Sequence, residues 1–279
     1  MKINASDVAA LIGQNQYKTR DEAMEQLAAN NGFIDLCGND QEIMDDLVSN
    51  AKSQIEDVCR STSTAELEDK IHTYEQTIVK TAVEDVVRVS RGEKPILQKQ
   101  CLPESIVREI QKNADKPVDQ IVEKVNVQVK EVPEIAEACK SINKIRGTIL
   151  ETQSTDRLQT NLGKKVEDRN ARYYVYHIPN IPFAARIVGK LDGTTKLSNG
   201  EAITEIKTRR RKWATVPKYD LIQLRCYMKL TGIKNGILHE EFPDNTSRTT
   251  RIEWSETEWK SIESALIQTL AEVLETYVG

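Results

Sequence analysis

Two carboxylates and one lysine stand at spacings that could hold a metal ion against a phosphate. Glu205 and Lys207 are two apart in Ile203-Thr-Glu-Ile-Lys207, so in a strand both side chains leave the same face. Asp192 ends the preceding apolar run, where Gly193 predicts a tight turn. An antiparallel return would bring both acids and the ammonium to one point near a sheet end. Hard oxygen ligands of this kind suit Mg²⁺, with Mn²⁺ able to substitute, because such ions keep several waters and take the rest of their shell from phosphate. Lys207 would then orient or deprotonate an attacking water, or neutralise charge developing on the phosphate. Taken alone, a D…E-x-K match is more often a capped turn beside a solvated strand face.

Other residues narrow the choice. Gln223 and Tyr227 are four apart on the helix that follows, so they share a face. They could hold a phosphate or a metal-bound water, or be a surface glutamine and a half-buried core tyrosine. Arg146-Gly-Thr-Ile-Leu-Glu151 places a third carboxylate on the helix before the strands. Arg209, Arg210, Arg211 and Lys212 form a dense positive block that ends in Trp213. Charge statistics alone would make this a solvated loop. Because it leaves the proposed site, it reads as phosphate-backbone contacts, with Trp213 as a base-stacking or wedge residue. His72, His177 and His239 are too separated to suggest zinc.

The elements that must position these residues are marked by their punctuation. Ser6 is expected to cap a short helix closed by Gly13, and Thr19 with Glu22 forms a capping box opening a helix to about Ala29. Gly38 to Cys139 is helical, with one long helix over Thr64–Ser90 and shorter segments set off by Pro95, Pro103, Pro117 and Pro133. A helix from about Pro133 to Asn161 precedes three strands, at Arg172–Ile178, Phe183–Leu191 and Glu201–Thr208. Asn180 and Asn199-Gly200 mark turns between them. Pro217 starts a helix that Gly232 ends; strands at Gly236–Phe242 and Arg248–Trp254 and a helix capped at Ser255 complete the chain. This order predicts a mixed α/β fold, its sheet sandwiched by helices.

Bulk properties exclude several classes. The 279 residues suffice for one large or two small domains, with 39% hydrophobic and 29% charged residues. No run approaches the ~20 apolar residues of a membrane span, and the polar N-terminus predicts no signal peptide. Cys37, Cys59, Cys101, Cys139 and Cys226 fit neither a disulfide framework nor zinc spacing, so an intracellular compartment is expected. The net charge of −4 argues against a generic nucleic-acid coat protein, yet a local basic groove can still bind DNA.

Taken together, these motifs resemble the PD-(D/E)xK nuclease superfamily, in the branch of lambda exonuclease and the YqaJ-like viral recombinases. Ser6 to Glu22 resembles that branch's N-terminal block. Arg146 to His239 resembles its core: the R-G-x-x-x-E helix, the D-G hairpin end, the E-x-K strand and the Q-x-x-x-Y helix, in that order. The resemblance implies a restriction-endonuclease-like α/β core of helix, three strands, helix and strand, with a central mixed sheet flanked by helices and a large helical insertion. N-terminal helices would occupy 1–37, the insertion 38–139 and the catalytic core 140–279. Asp192, Glu205, the Ile206 carbonyl and Glu151 would hold the metal. Lys207 would act on water, and Gln223 and Tyr227 would steady the phosphate. Ser6 and Arg146 would join the basic block in binding DNA, Ser6 at a 5′-phosphate end. Leu191 stands where the superfamily's proline would precede Asp192, and no arginine precedes Ser6. The implied activity is exonucleolytic hydrolysis of duplex DNA from its ends in viral or phage recombination or repair, in a host cytoplasm or nucleus. An endonuclease on the same fold and a non-catalytic DNA-binding scaffold stay open, as do an annealing-protein partner and a homo-oligomer.

Overall fold

The β-rich stretches of the second half are divided between two sheets rather than joined in one. The computed structural model describes residues 1–34, 40–61, 63–244 and 246–279. The strands are β1 (Lys2–Asn4), β2 (Val166–Glu167), β3 (Tyr174–His177), β4 (Arg186–Gly189), β5 (Gly193–Leu197), β6 (Gly200–Thr208), β7 (Asn235–Glu241) and β8 (Ser247–Glu253). The helices are α1 (Val8–Leu11), α2 (Arg20–Asn30), α3 (Gln41–Asn50), α4 (Lys52–Cys59), α5 (Thr64–Ser90), α6 (Glu104–Gln111), α7 (Val118–Lys130), α8 (Pro133–Leu162), α9 (Lys218–Thr231) and α10 (Glu256–Tyr277). Among the described residues, no helix is long and apolar enough to cross a membrane.

Two units can be described separately. One contains residues up to 34 together with Glu151–Gly279, and the other residues 40 to 150, so the division falls within α8. Cys37 and the boundary expected at Gly38 lie outside the described residues.

The helical unit is organised along α5, whose Leu67, Ile71, Tyr74, Ile78, Val83 and Val87 are buried at helical spacing. Ile110, Ile121, Val125, Ile135 and Ile142 fill the same core from α6, α7 and α8. Two of its buried polar groups, Tyr74 and Asp85, find partners nearby. The Tyr74 hydroxyl donates to the Ala138 carbonyl at 2.9 Å, and Asp85 accepts the Ile96 and Leu97 amides at 2.6 and 2.8 Å.

In the other unit a five-stranded mixed sheet runs in the order β2-β5-β6-β7-β8, with β6 and β7 parallel and the other pairs antiparallel. A three-stranded sheet, β1-β4-β3, lies beside it in sequence. Ile203 and Leu238 pack with Leu224 and Met228 of α9 and with Trp259 and Leu266 of α10. The opposite face carries Ile206, which packs with Leu158 and Val166. The expected fold class is therefore present: a central mixed sheet with helices on both faces.

Three local expectations need correction. Ser6 caps nothing; it lies exposed in a 3₁₀ turn, and neither that turn nor α1 has a side-chain cap. The expected second strand stops at Gly189, and the chain runs through Lys190-Leu191-Asp192 into an unexpected strand, β5. The run Gly193-Thr-Thr-Lys-Leu looks like a loop because it is polar. Thr194 and Thr195 are nevertheless buried, and Thr195 shares a 3.1 Å hydroxyl contact with Thr204 across the ladder.

Gly193 also makes no turn. A Cβ there would lie 2.3 Å from Val166 Cγ1 and 3.0 Å from the Glu167 carbonyl, so the glycine lets β2 approach β5. Gly193→Ala is expected to lower stability by about 1–3 kcal/mol through overpacking. An unchanged urea midpoint in that variant would show that β2 can yield.

Candidate active site

Register and alternation bring the three principal residues together. Gly193 pairs with Thr204, so one step further places Asp192 opposite Glu205. The Asp192 Oδ2 accepts the Ile206 amide at 2.8 Å, which fixes its carboxylate against β6. Glu205 is 1% exposed, and its Oε1 lies 2.7 Å from Lys207 Nζ. Lys207 reaches across to α9, donating to Gln223 Oε1 at 3.0 Å, while Gln223 Nε2 donates to the Tyr227 hydroxyl at 3.0 Å. The helical pair expected from spacing is thus a relay that ends on the lysine.

Tyr227 needs room to sit there. A Cβ at Gly189 would fall 2.5 Å from Tyr227 Cε1 and 3.2 Å from Ala5 Cβ. Glycine at the end of β4 therefore admits the tyrosine, with the first residues of the chain packed behind it.

Charge at the site is unevenly satisfied. Burial raises the Asp192 carboxyl well above its ordinary range, and the neighbouring Glu205 adds to the shift. Burial likewise raises Glu205, although Lys207 opposes it. For Lys207, burial works against the charge, but Glu205, Asp220 and Asp192 outweigh it and hold the ammonium above its usual range. Those three carboxylates favour its ammonium form, in which it is a hydrogen-bond donor. Meanwhile Glu205 Oε2 is buried without a hydrogen-bond partner, an arrangement that costs free energy unless a proton or cation occupies it.

This donor set fits a hard divalent cation. Two carboxylates face one another, and one presents an unpartnered buried oxygen. Among the described residues no three His, Cys, Asp or Glu side chains converge as a metal-holding group. The fit is therefore to an ion held by one or two carboxylates that keeps its waters for phosphate, as Mg²⁺ does.

Several expected site residues are placed otherwise. Glu151 is half-buried on α8, accepts from Arg169 Nη2 at 3.2 Å, and its charge adds to the upward shift of Asp192 and Glu205. Ile206 approaches Asp192 through its amide. Arg146 belongs to the helical unit, where it is 8% exposed and bonded to Glu68 at 2.5 Å, so its guanidinium is not presented to DNA.

Arg209 is 10% exposed, between Asp220 at 2.6 Å and Glu240 at 2.9 Å. It is a structural cation. Lys212 pairs with Asp244 at 3.2 Å, whereas Arg210 and Arg211 are exposed and Trp213 lies under the Arg211 guanidinium at 4.0 Å.

Sequence reasoning missed Asp220, Glu240 and Arg169. Asp220 precedes Gln223 and Tyr227 at helical spacing on α9, a signal that was available. Glu240 stands in His239-Glu-Glu241, three polar residues buried within a strand. Arg169 lies between Asp168 and Asn170, both with positive φ (53° and 48°), and no local pattern announces that loop.

No family model and no curated protein matches the chain. Among solved structures, SSO0001 is similar at TM-score 0.37 and 18% identity, over 69% of this chain and 74% of that one. The alkaline exonuclease LHK-Exo of Laribacter hongkongensis, in complex with dAMP, gives TM-score 0.36 and 14% identity, covering 84% and 91%. A phage-related exonuclease from Haemophilus somnus 129PT gives 0.33 and 10%, covering 82% and 94%. At these values the likeness says nothing about chemistry.

Two outcomes follow from the charge arrangement. Arg209→Ala leaves Asp220 and Glu240 buried without their shared cation, so stability should fall by about 3–5 kcal/mol. A loss within ~0.5 kcal/mol in chemical denaturation, the range of an ordinary surface substitution, would return Arg209 to the surface cations.

The second concerns pH. A carboxyl raised in the folded state stabilises fully below its unfolded pKa, near 4, and that contribution is lost as pH rises through the folded value. Asp192→Asn removes the loss. In EDTA its Tm should exceed the wild-type Tm by more at pH 8 than at pH 5; an equal gap would contradict the burial of this charge.

Proposed function

We propose that this chain is a metal-dependent nuclease that hydrolyses phosphodiester bonds of DNA. The observation that carries this reading is the pairing of half-buried Asp192 with buried Glu205, whose second carboxylate oxygen has no partner, beside the Lys207 ammonium. A structural ion pair would close on itself. This one leaves a carboxylate oxygen for a cation and an ammonium for the substrate.

A divalent ion bound by Asp192 and Glu205 would polarise the phosphate and lower the pKa of a bound water. The chain's own residues do the rest. The Ile206 amide keeps Asp192 oriented, while Lys207 orients the attacking water, whose proton leaves to solvent, or neutralises charge developing on the phosphate oxygens. Gln223 accepts from Lys207 and prevents it from collapsing wholly onto Glu205. Tyr227 in turn accepts from Gln223 Nε2, and Glu151 adds negative field. Magnesium as the working ion, ends of duplex DNA as substrate and a viral or phage recombination role are what the motif resemblance adds. An annealing-protein partner and a homo-oligomer belong to the same part of the proposal.

Cleavage of linear 5′-phosphorylated duplex and of covalently closed circles, with Mg²⁺ and with EDTA, tests the reading. The expected result is Mg²⁺-dependent loss of the linear DNA alone. Asp192→Ala and Lys207→Ala should each reduce it by at least ~10²-fold, the scale of losing one transition-state donor. Nicked circles would move the protein to an endonuclease. Absence of cleavage by folded protein that still binds DNA would leave a scaffold.

A further inference from the structure

Beyond the end of β6 the chain forms a recess of about 300 Å³, walled by Tyr17, Tyr219, Trp213, Thr208, Arg210 and Arg211. Its most unusual member is Tyr17, which is 64% exposed. Exposed aromatic rings on mobile loops are ordinary, but this one is fixed at several points. Its amide donates to Asn15 Oδ1 at 2.8 Å, and its hydroxyl accepts from Arg211 Nη2 at 3.2 Å. Its ring meets Tyr219 edge-on at 5.9 Å and Trp213 at 6.4 Å between centroids. Arg211 also lies over the Trp213 ring at 4.0 Å. The result is an aromatic cluster tied together at several points, with Trp213 and Tyr219 half-buried and Tyr17 left facing water.

Its position gives the surface a meaning. Thr208 follows Lys207 in β6, and Tyr219 precedes Asp220, which lies 3.8 Å from Lys207 Nζ. Lys207, Asp220 and Arg209 all act electrostatically on the Tyr219 phenol. A strand whose phosphate met Lys207 would therefore place a neighbouring nucleotide at the recess. Rigid aromatic faces flanked by arginine are what a stacked base and its phosphate require.

Building on the nuclease reading, we propose that the Tyr17–Trp213–Tyr219 recess binds one unpaired nucleobase of the DNA strand being cleaved. Inside a duplex both faces of a base are covered and a terminal pair shows only one edge of the stack, so a recess walled by rings on more than one side takes an unstacked base. The substrate class is thereby narrowed to DNA with a frayed or single-stranded nucleotide beside the scissile bond. Arg211 holds the walls in place and offers its guanidinium to the phosphate.

The test needs no turnover. Binding of a short single-stranded oligonucleotide is measured in EDTA, beside an oligonucleotide of equal length whose residues are abasic. Wild type should bind the base-bearing strand about tenfold more tightly than the abasic one, the scale of a single base–aromatic stack. Tyr17→Ala and Trp213→Ala should each erase that difference while leaving abasic binding unchanged, and Tyr17→Phe should keep most of it. Tyr17 lies on the surface, so its variants report even if Trp213→Ala fails to fold. Equal affinity for the two strands in wild type, or equal losses for both in Tyr17→Ala, would overturn the proposal. Base-dependent binding without cleavage of any DNA would keep the recess and sink the nuclease; cleavage without base dependence would do the reverse.

Discussion

Glu205, Lys207 and Arg209 follow one another at two-residue spacing along the end of β6, and the charge balance among them governs this part of the molecule. Arg209 continues the ladder past the strand, its amide donating to the Glu241 carbonyl at 2.8 Å. Its guanidinium is saturated by Asp220 and Glu240, and Arg248 completes Glu240 from the other side at 2.6 Å. Two residues back, the balance is incomplete: Lys207 satisfies only one oxygen of Glu205. A single strand thus passes from a closed electrostatic cluster to an open one. Closed clusters fix structure, and open ones are available to ligands.

The saturated half explains how the open half is tolerated. Buried carboxylates repel one another and resist ionisation, so Asp192, Glu205 and Glu240 at the sheet and Asp220 on α9 stay charged together only with cations placed between them. Lys207 touches both groups, at 2.7 Å from Glu205 and 3.8 Å from Asp220. It couples the two, and their combined charge favours its ammonium form.

Much of this was legible in the sequence wherever signals were local. Thr19 and Glu22 do form the capping box, α5 spans Thr64–Ser90, and Gly232 ends α9 with φ of 77°. The pairing of Glu205 with Lys207 follows from strand alternation alone, and the Gln223–Tyr227 relay from helical spacing. What alternation could not show was burial. Thr194 and Thr195 are polar yet buried, and Arg209 stands in a run of like charges yet differs from its neighbours in its two buried carboxylate partners. Partners decide such cases, and those of Arg209 come from α9 and β7. Arg169 illustrates the other limit, since backbone with positive φ at Asp168 and Asn170 leaves no periodic trace.

The pairing of β1 with β4 joins Lys2 to Arg186, and Arg20 meets Glu272 across almost the whole chain. Contacts so distant in sequence form only after nearly all the residues between them exist, and loop closure makes them slow to form. Gly189, at the end of β4, has Ala5 on one side and Tyr227 on the other. The wall behind the Tyr227–Gln223–Lys207 relay is therefore supplied from far away in the chain, so the contacts that close the longest loops are also the ones that hold Tyr227 in place.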